Sequence, residues 1–458
     1  MNAKIKKHIY MDHASSTPID RGVFLEMKKF LTDEFGNPGS LHQKGVVARN
    51  VLNNARKKVA DILSAMPDEI IFTSSGTESN NLAIQGVVNQ VNQVNQVNQA
   101  GQGASLTRVP HIVTTNIEHS SVLETCKYLE KTGRTEVTYV PVEPNGVVDP
   151  EKIKEALRLN TVLVSVMYAN NEIGTIQPIR EISKILRNFK KTKQLTTDNL
   201  QPSAKKLPAQ GWSASGGEIH EKTPFFHTDA VQAANYLPIN VQKLGVDLMT
   251  LNGSKIYGPK GVGLLYRRRG VILSPIMHGG EQEFGLRPGT ENVAAIVGFA
   301  KALEITEKIK DKESKRLTKL RDYFINQIEK LNHSNILQNY RITLNGDPVK
   351  RLPNNINISV SSSIRVDPRL DLRGFASLVE SELLVLELDG KGIAVSSKSA
   401  CKTESKEFYV IKAIKPDFDY KKEAIIRFSL GRQNTKKDVE HVIRSLSQIF
   451  KKYRKFML

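Results

Sequence analysis

Short apolar runs alternate with amphipathic segments through the middle of the chain, and this alternation limits the possible folds more than any other feature. Two segments between the runs, Ser121–Lys131 and Pro150–Leu157, have helical periodicity. Because strands that alternate with helices usually pair in parallel, the pattern predicts a mostly parallel, doubly wound α/β sheet. The predicted strands are Ile112–Asn116, Val137–Val142, Val162–Met167 and Val246–Leu251.

Near residue 311 the pattern changes, and the chain is long enough for more than one domain. Two charged helical segments, Asp311–Leu331 and Lys436–Phe450, flank short apolar runs in this region. We therefore predict a large domain over residues 18–310 and a smaller α+β domain formed by residues 1–17 and 311–458.

Two polar segments interrupt the large domain and are predicted to be inserts, near 88–108 and over 192–222. In the first, the triplet VNQ occurs four times from Val88 to Gln99. The repeat is too short and too polar for a solenoid, so we predict a flexible surface loop. The second, Thr192–Lys222, is rich in Ser, Gly, Pro, Lys and Gln without periodicity, and we predict disorder there.

Composition excludes several classes of protein. Two cysteines in 458 residues cannot form a disulfide scaffold, so Cys126 and Cys401 are either small buried residues or reactive thiols. No apolar run of about eighteen residues predicts a membrane span, and no secretory signal is present, which indicates a cytoplasmic protein. The net charge of +19 fits an ordinary lysine-rich surface or attraction of an anionic partner, but no nucleic-acid-binding motif supports the latter, and no metal site is predicted.

The stretch from Phe226 to Gly263 contains a candidate catalytic lysine. The predicted strand DLMTL continues directly into Asn252-Gly253-Ser254-Lys255, followed by a Gly-Pro turn. A lysine buried among small residues loses solvation, its pKa falls, and its neutral amine can attack an aldehyde. Asp229 closes an earlier apolar strand, where a carboxylate could face the pyridine nitrogen of pyridoxal phosphate. Taken alone, each residue also fits a surface lysine or a helix-capping aspartate.

A candidate phosphate site follows the apolar run IIF. The strand ends in Ser-Ser-Gly-Thr, and a helix is predicted to begin there. Free N–H groups and the helix dipole at such a turn bind phosphate, and Ser75, Gly76 and Thr77 would supply amides and a hydroxyl. An ordinary capping box is the alternative.

Ten motifs, in the same order, resemble those of the cysteine desulfurases, which are pyridoxal-phosphate enzymes with the aspartate-aminotransferase fold. The resemblance covers nearly the whole chain except the two inserts and Ser361–Leu372, and it implies a seven-stranded sheet in the large domain. The cysteine segment resembles the branch with a longer loop. The motifs are YMDHASSTP from Tyr10, FGNPGSLH from Phe35, TSSGTESNNLAI from Thr73, EHSSVLETC from Glu118, YANNEIGTIQPI from Tyr168, FHTDAVQ from Phe226, GSKIYGPKG from Gly253, HGGEQEFGLRPGTEN from His278, AVSSKSAC from Ala394 and IRFSLGR from Ile426.

The resemblance implies a role for each matching residue. Lys255 matches the Schiff-base lysine, and His119 matches the histidine that stacks on the ring and helps proton transfer. Thr290 matches a threonine that reaches the phosphate in the neighbouring subunit, which implies a homodimer. The implied cofactor-binding residues are Ser75, Gly76, Thr77, Asn171, Asp229, Gln232, Asn252, Ser254, Lys255 and Thr290.

The resemblance also implies the substrate and the reaction. Asn37 and Arg427 match residues that hold the carboxylate of L-cysteine, and an arginine suits this task because its planar fork binds two oxygens. Cys401 matches the thiol that receives the sulfur as a persulfide while L-alanine leaves; an inert surface thiol is the alternative. Cys126 fits a packed helix position. The implied acceptor is an iron–sulfur scaffold protein, where a transient cluster would form, or a tRNA-thiolating enzyme.

Four positions depart from the family pattern. Asn252 and Ser254 stand where the family usually has serine and histidine that touch the phosphate, so we expect retained but weaker cofactor binding. Lys398 replaces a glycine beside the cysteine and is expected to lower the pKa of the thiol. Glu281 replaces another common glycine.

Two other functions remain open at this point. Another pyridoxal-phosphate enzyme of the same fold, such as a selenocysteine lyase or an aminotransferase, shares the cofactor motifs, although an aminotransferase has no use for Cys401. A weakly catalytic partner-binding protein is the second, since the charge and the changed phosphate residues are compatible with it.

Overall fold

A computed structural model describes residues 8–101, 109–200, 223–362, 380–397 and 408–455. The strands, β1 to β12 in order, are Ile9–Tyr10, Ile70–Thr73, His111–Thr115, Glu136–Val140, Thr161–Ser165, Phe225–Asp229, Leu248–Asn252, Gly263–Arg267, Tyr340–Leu344, Asn355–Ser362, Ile393–Ala394 and Glu423–Ser429. The helices are Arg21–Thr32 (α1), Gln43–Leu63 (α2), Gly76–Gly101 (α3), Ser120–Lys131 (α4), Pro150–Glu155 (α5), Ile179–Leu200 (α6), Val241–Leu244, Val293–Asn332, Ser381–Asp389, Tyr409–Ile414 and Lys436–Lys455.

A seven-stranded sheet forms the centre of the protein, in the order β2-β8-β7-β6-β5-β3-β4. The five strands from β7 to β4 pair in parallel, whereas β8 is antiparallel to both β7 and β2. The residues of β3, β5 and β6 are buried throughout, because helices cover both faces of the sheet. The predicted fold, with its mostly parallel seven-stranded sheet, is confirmed.

A second, smaller sheet is formed by strands that follow the large sheet in the sequence. Strands β9, β10 and β12 form an antiparallel sheet with β10 in the centre, and β1 pairs with β11 beside it. The helix Val293–Asn332 has 40 residues and continues without a break through residue 310, where the sequence predicts the boundary between domains. The division at that position stays a prediction. Across the described ranges, no helix has the length and apolar character required to cross a bilayer.

The prediction of a flexible loop for the VNQ repeat is wrong, since all four triplets belong to α3. Val88 and Val91 are buried against one face of the large sheet, and Val94 is partly buried against the same cluster. A period of three residues falls short of one helical turn, so successive valines rotate gradually away from the core. The first triplets therefore pack as part of a helix, although their composition is typical of a loop.

The polar side chains of the repeat also have partners. The Ser274 hydroxyl lies 3.0 Å from the side-chain oxygens of both Gln90 and Gln93 and shares its one proton between them, and Asn92 donates to the Arg134 carbonyl at 3.1 Å. These contacts explain why a segment of low apolar content is ordered here. The prediction of disorder from Thr192 is wrong over its first residues, which complete α6, and the rest lies outside the described residues.

Candidate functional site

Two neighbouring parallel strands bring the predicted lysine and aspartate together. Strand β6 ends at Asp229, which pairs in register with Thr250 of β7, and a short 3-10 turn directly after β7 carries Lys255. Ligands of open α/β sheets bind at this edge, beyond the carboxyl ends of the strands. A cavity of about 160 Å³ lies there, lined by Ala14, Ser15, Gly76, Thr77, Asn80, His119, Ser121, Met167, Ala169, Asn171, Asp229, Val231, Gln232, Asn252, Lys255 and Arg427.

Hydrogen bonds hold the carboxylate of Asp229 in a defined orientation. Its Oδ1 accepts from the backbone N–H of Val231 at 3.0 Å, and its Oδ2 accepts from the Asn80 side chain at 2.8 Å. The residue is 6% exposed. A buried carboxylate with both oxygens bonded presents its remaining lone pairs in fixed directions, as a partner for a ring nitrogen requires.

The segment before α1 forms the wall opposite the sheet. The Lys255 ammonium donates to the Ser15 carbonyl, and the Gln232 side chain donates to the Ala14 carbonyl at 2.9 Å. The Thr17 hydroxyl and backbone N–H both donate to the Ser254 carbonyl. The motif YMDHASSTP therefore closes the cavity over the lysine, a role that the sequence did not reveal.

Close backbone packing shapes the turn at the start of α3. Ser75 caps the helix by accepting from the N–H of Glu78 at 3.2 Å. A Cβ at Gly263 would lie 2.4 Å from the carbonyl carbon of Ser75, and a Cβ at Gly76 would lie 3.0 Å from Val231. Glycine is therefore required for the approach of β8 to the turn, which leaves the N–H groups of Gly76 and Thr77 at the cavity.

His119 is the N-cap of α4. Its Nδ1 accepts from the backbone N–H of Ser121 at 3.1 Å and lies 2.7 Å from the Ser121 hydroxyl. The preceding residue, Glu118, is fully buried and accepts from the Thr115 hydroxyl at 2.6 Å and from the N–H of Met167 at 3.0 Å. Burial first, and the nearby Asp229 as a smaller cause, raise the pKa of Glu118 to about 8.

Arg427 supplies a buried positive charge at the far side of the cavity. It is 1% exposed; its Nη2 donates to Asp12 at 2.9 Å and to the Ser15 hydroxyl at 2.8 Å, and its Nη1 donates to the Asn171 carbonyl at 3.0 Å. Within the described residues, its Nε and the side-chain oxygen of Asn171 have no hydrogen-bond partner. Such buried polar atoms fit a site that a ligand completes.

The predicted site residues divide into three groups by position. Gly76, Thr77, His119, Asn171, Asp229, Gln232, Asn252, Lys255 and Arg427 line the cavity, and Ser75 and Ser254 are their chain neighbours. Asn37 and Thr290 are exposed and are not among the lining residues of this single chain. Asn37 accepts from the N–H of Gly39 at 2.8 Å. Cys401 and Lys398 lie outside the described residues.

Four polar residues of the site were missed by sequence reasoning, although each lies in a quoted motif: Asp12, Ser15, Asn80 and Ser121. Their spacing carries no signal of its own, because their partners come from distant parts of the chain. The packing role predicted for Cys126 is confirmed. It is fully buried in α4, and burial raises the pKa of its thiol.

The model of the aminotransferase class-V family matches residues 9–206 and 213–442. The chain belongs to this family. A relative named cysteine desulfurase IscS, from Dictyoglomus turgidum, is 42% identical over 451 residues, which cover 98% of this chain and 96% of the relative. A protein of the same name from Methanosarcina thermophila is 38% identical, covering 98% and 93%. Among solved structures, a NifS-like protein superposes with a TM-score of 0.76 at 32% identity, covering 96% of this chain and 99% of that chain.

These comparisons confirm the resemblance to the cysteine desulfurases. The two relatives align along nearly their full length with this chain, so the family assignment covers both the large sheet and the β9-β10-β12 sheet. The VNQ repeat also lies within the matched range.

Proposed function

We propose that this protein is a cysteine desulfurase that uses pyridoxal phosphate to convert L-cysteine to L-alanine and transfers the sulfur to its own Cys401. The observation that carries the proposal is that Lys255, Asp229, His119 and Arg427 all line the same cavity. The curated relatives that bear the name cysteine desulfurase support it.

The residues of the cavity fit pyridoxal phosphate. The Asn171 side-chain oxygen, which has no hydrogen-bond partner among the described residues, and the bonded carboxylate of Asp229 suit a polar ring, and the turn at Gly76 suits a phosphate. When bound, the cofactor supplies an aldehyde that bonds to an amine and a protonated ring that accepts electrons from the substrate carbon. Lys255 provides the amine, and Thr77 with its neighbouring N–H groups holds the phosphate.

The remaining cofactor contacts complete this assignment. Gln232 and Asn171 would face the ring substituents, and Asn252 and Ser254 stand where a serine and a histidine, respectively, are usual. The Asn252 side chain is engaged with the N–H and hydroxyl of Ser254, at 3.3 and 3.4 Å. Since these groups bond to each other, weaker phosphate binding is expected.

Arg427 binds the substrate carboxylate in this proposal. Its guanidinium is buried and held rigidly by Asp12 and Ser15, so little side-chain entropy is lost when a second carboxylate arrives. Asn37 is exposed in the single chain and is proposed to bind the same carboxylate.

Lys255 and His119 move protons during the reaction. The Lys255 amine would act as the base at the substrate Cα, and His119, which lines the same cavity, would assist proton transfer. The thiolate of Cys401 then attacks the substrate sulfur. An S–S bond forms, the Cβ–S bond breaks with its electron pair left on the substrate carbon, and protonation of that carbon yields L-alanine.

The proposal includes an assembly and a downstream partner. Thr290 is exposed, as a residue that serves the site of a second subunit would be, which supports a homodimer. We propose separately that the enzyme is cytoplasmic. A persulfide is consumed by transfer to another thiol or to a metal–sulfur scaffold, and the proposed acceptor is an iron–sulfur scaffold protein or a tRNA-thiolating enzyme.

The test uses the purified protein with pyridoxal phosphate, L-cysteine and a thiol reductant, and measures alanine, sulfide and visible absorbance. We expect alanine from the parent and from Cys126→Ala, the matched control for the second cysteine. Lys255→Ala should lose both alanine and the lysine-dependent absorbance, and Cys401→Ala should lose alanine alone. Unchanged alanine in Cys401→Ala would contradict the sulfur-transfer step and favour a lyase.

A further inference from the structure

Four side chains in the cavity wall form a continuous hydrogen-bonded series between Asp229 and His119. Asn80 Nδ2 lies 2.8 Å from Asp229 Oδ2 and 2.8 Å from the Ser121 hydroxyl oxygen, and that oxygen lies 2.7 Å from His119 Nδ1. Asn80 is 1% exposed, and Ser121 is 8% exposed. The two side chains in the middle of the series are therefore largely shielded from bulk water.

The direction of each bond follows from the chemistry of the groups. Asp229, as a carboxylate, only accepts, so the amide of Asn80 must turn its nitrogen toward it; the flipped amide would bring two oxygens together. The two protons on that nitrogen then serve Asp229 and Ser121. The Asn80 oxygen has no partner among the described residues, which is the cost of directing both protons this way.

At the other end of the hydrogen-bonded series, the same bonds determine the tautomer of His119. The backbone N–H of Ser121 can only donate, so Nδ1 of His119 must accept and carries no proton. The Ser121 hydroxyl accepts from Asn80, and its own proton is directed to the same Nδ1. In the neutral ring, the single proton therefore resides on Nε2.

We propose that Asn80 and Ser121 are positioning residues that couple the two groups of the proposed cofactor site. Together they orient the carboxylate of Asp229 and hold His119 as the neutral Nε2–H tautomer. This inference rests on the proposed function for the identity of the cofactor. The arrangement makes Nε2 the proton-donating edge of His119, whereas Nδ1 can take a proton only by giving up the cap of α4.

The two residues should be separable by experiment. Ser121→Ala removes only the hydroxyl at the His119 end and keeps the capping N–H, so it should affect the tautomer but leave the affinity for pyridoxal phosphate nearly unchanged. Asn80→Ala removes the donor to Asp229 as well, so it should change both. A residue with a merely structural role would not produce this asymmetry.

The tautomer is read from the imidazole ¹⁵N shifts of histidine-labelled holoenzyme, with the His119 signals assigned from His119→Gln. We expect the preference for Nε2–H to fall about three- to tenfold in Ser121→Ala, to return in Ser121→Thr, and to stay unchanged in the neighbouring control Ser120→Ala. Cofactor affinity, measured by absorbance titration, should fall about tenfold in Asn80→Ala.

Two results would overturn the inference. One is a parent signal of His119 with the proton on Nδ1, and the other is an unchanged tautomer in Ser121→Ala. Because these shifts do not depend on turnover, they are independent of alanine production. A protein that makes no alanine but has the expected tautomer would refute the proposed function and leave the positioning role intact.

Discussion

Replacing Glu283 with glutamine is expected to lower the free energy of unfolding by about 3 to 5 kcal/mol, the usual range for removing one partner of a buried ion pair. Arg56 meets this carboxylate through two bonds, at 2.8 and 2.5 Å. The exposed fractions of the two side chains are only 9% and 2%. Glutamine keeps the shape but removes the charge, and it leaves the Arg56 guanidinium buried without a counterion.

The surroundings of the pair support the upper part of that range. The Glu283 carboxylate also accepts from the N–H of Phe72 at 2.8 Å, on the edge strand β2. Glu283 and Phe284 both adopt left-handed backbone conformations, with φ of 48° and 62°. Such residues cost about 1 to 3 kcal/mol each and persist only where their surroundings hold them, so loss of the ion pair would also weaken the contact of this loop with β2.

The assay is urea unfolding followed by circular dichroism, at one protein concentration and with saturating cofactor. The matched control is Glu136→Gln, because Glu136 pairs with Arg158 at 2.7 Å while both side chains are half exposed. That variant should lose less than about 1 kcal/mol. Equal midpoint shifts for the two variants would refute the argument from burial. A double variant with Arg56→Met should lose less than the sum of the single losses.

Three further predictions address pH, the phosphate turn and the repeat. Since burial raises the pKa of Glu118 from 4.5 to about 8, the folded state holds this proton more tightly, and stability falls as pH rises through that interval. In Glu118→Gln this pH-dependent loss, which amounts to at most about 5 kcal/mol in the parent, should disappear. The measurement is urea unfolding of both proteins at pH 5 and pH 9, and equal dependence of their stability on pH would contradict the prediction. Gly263→Ala should weaken pyridoxal phosphate binding more than tenfold in absorbance titrations, because its Cβ would lie 2.4 Å from the Ser75 backbone, and unchanged affinity would show that the turn can move. Val91→Ala should lose about 1 to 3 kcal/mol and the half-buried Val94→Ala clearly less in thermal melts, whereas equal losses would argue against packing of the repeat.

Local patterns were enough to predict much of the framework. The predicted strands at Ile112, Val162 and Val246 agree with β3, β5 and β7 to within two residues at each end. Buried parallel strands are continuous apolar runs, and their ends are marked by a change to polar residues. The same change from apolar to polar residues led to the prediction that Asp229 and Lys255 lie at strand ends. The prediction for the VNQ repeat was wrong because it rested on composition and did not consider which valines could face the core.

Other residues could be placed only by the tertiary structure. Asp12 and Arg427 meet at 2.9 Å although they are separated by most of the chain. Likewise, Arg56 and Glu283 form a buried pair, and Asn80 of helix α3 reaches Asp229 at the end of strand β6. None of these residues has a local pattern that distinguishes it from a solvated surface group.

The sequence by itself determined the alternation of strands and helices, the positions of the candidate lysine and aspartate at strand ends, and the family. These depend on periodicity and on ordered motifs, which are properties of neighbouring residues. Only the tertiary structure decided which strands are adjacent, how the segment around Ser15 covers Lys255, and which tautomer His119 adopts. The physical reason is that burial and hydrogen-bond direction depend on groups that are distant in the chain, and they arise only once the core has packed.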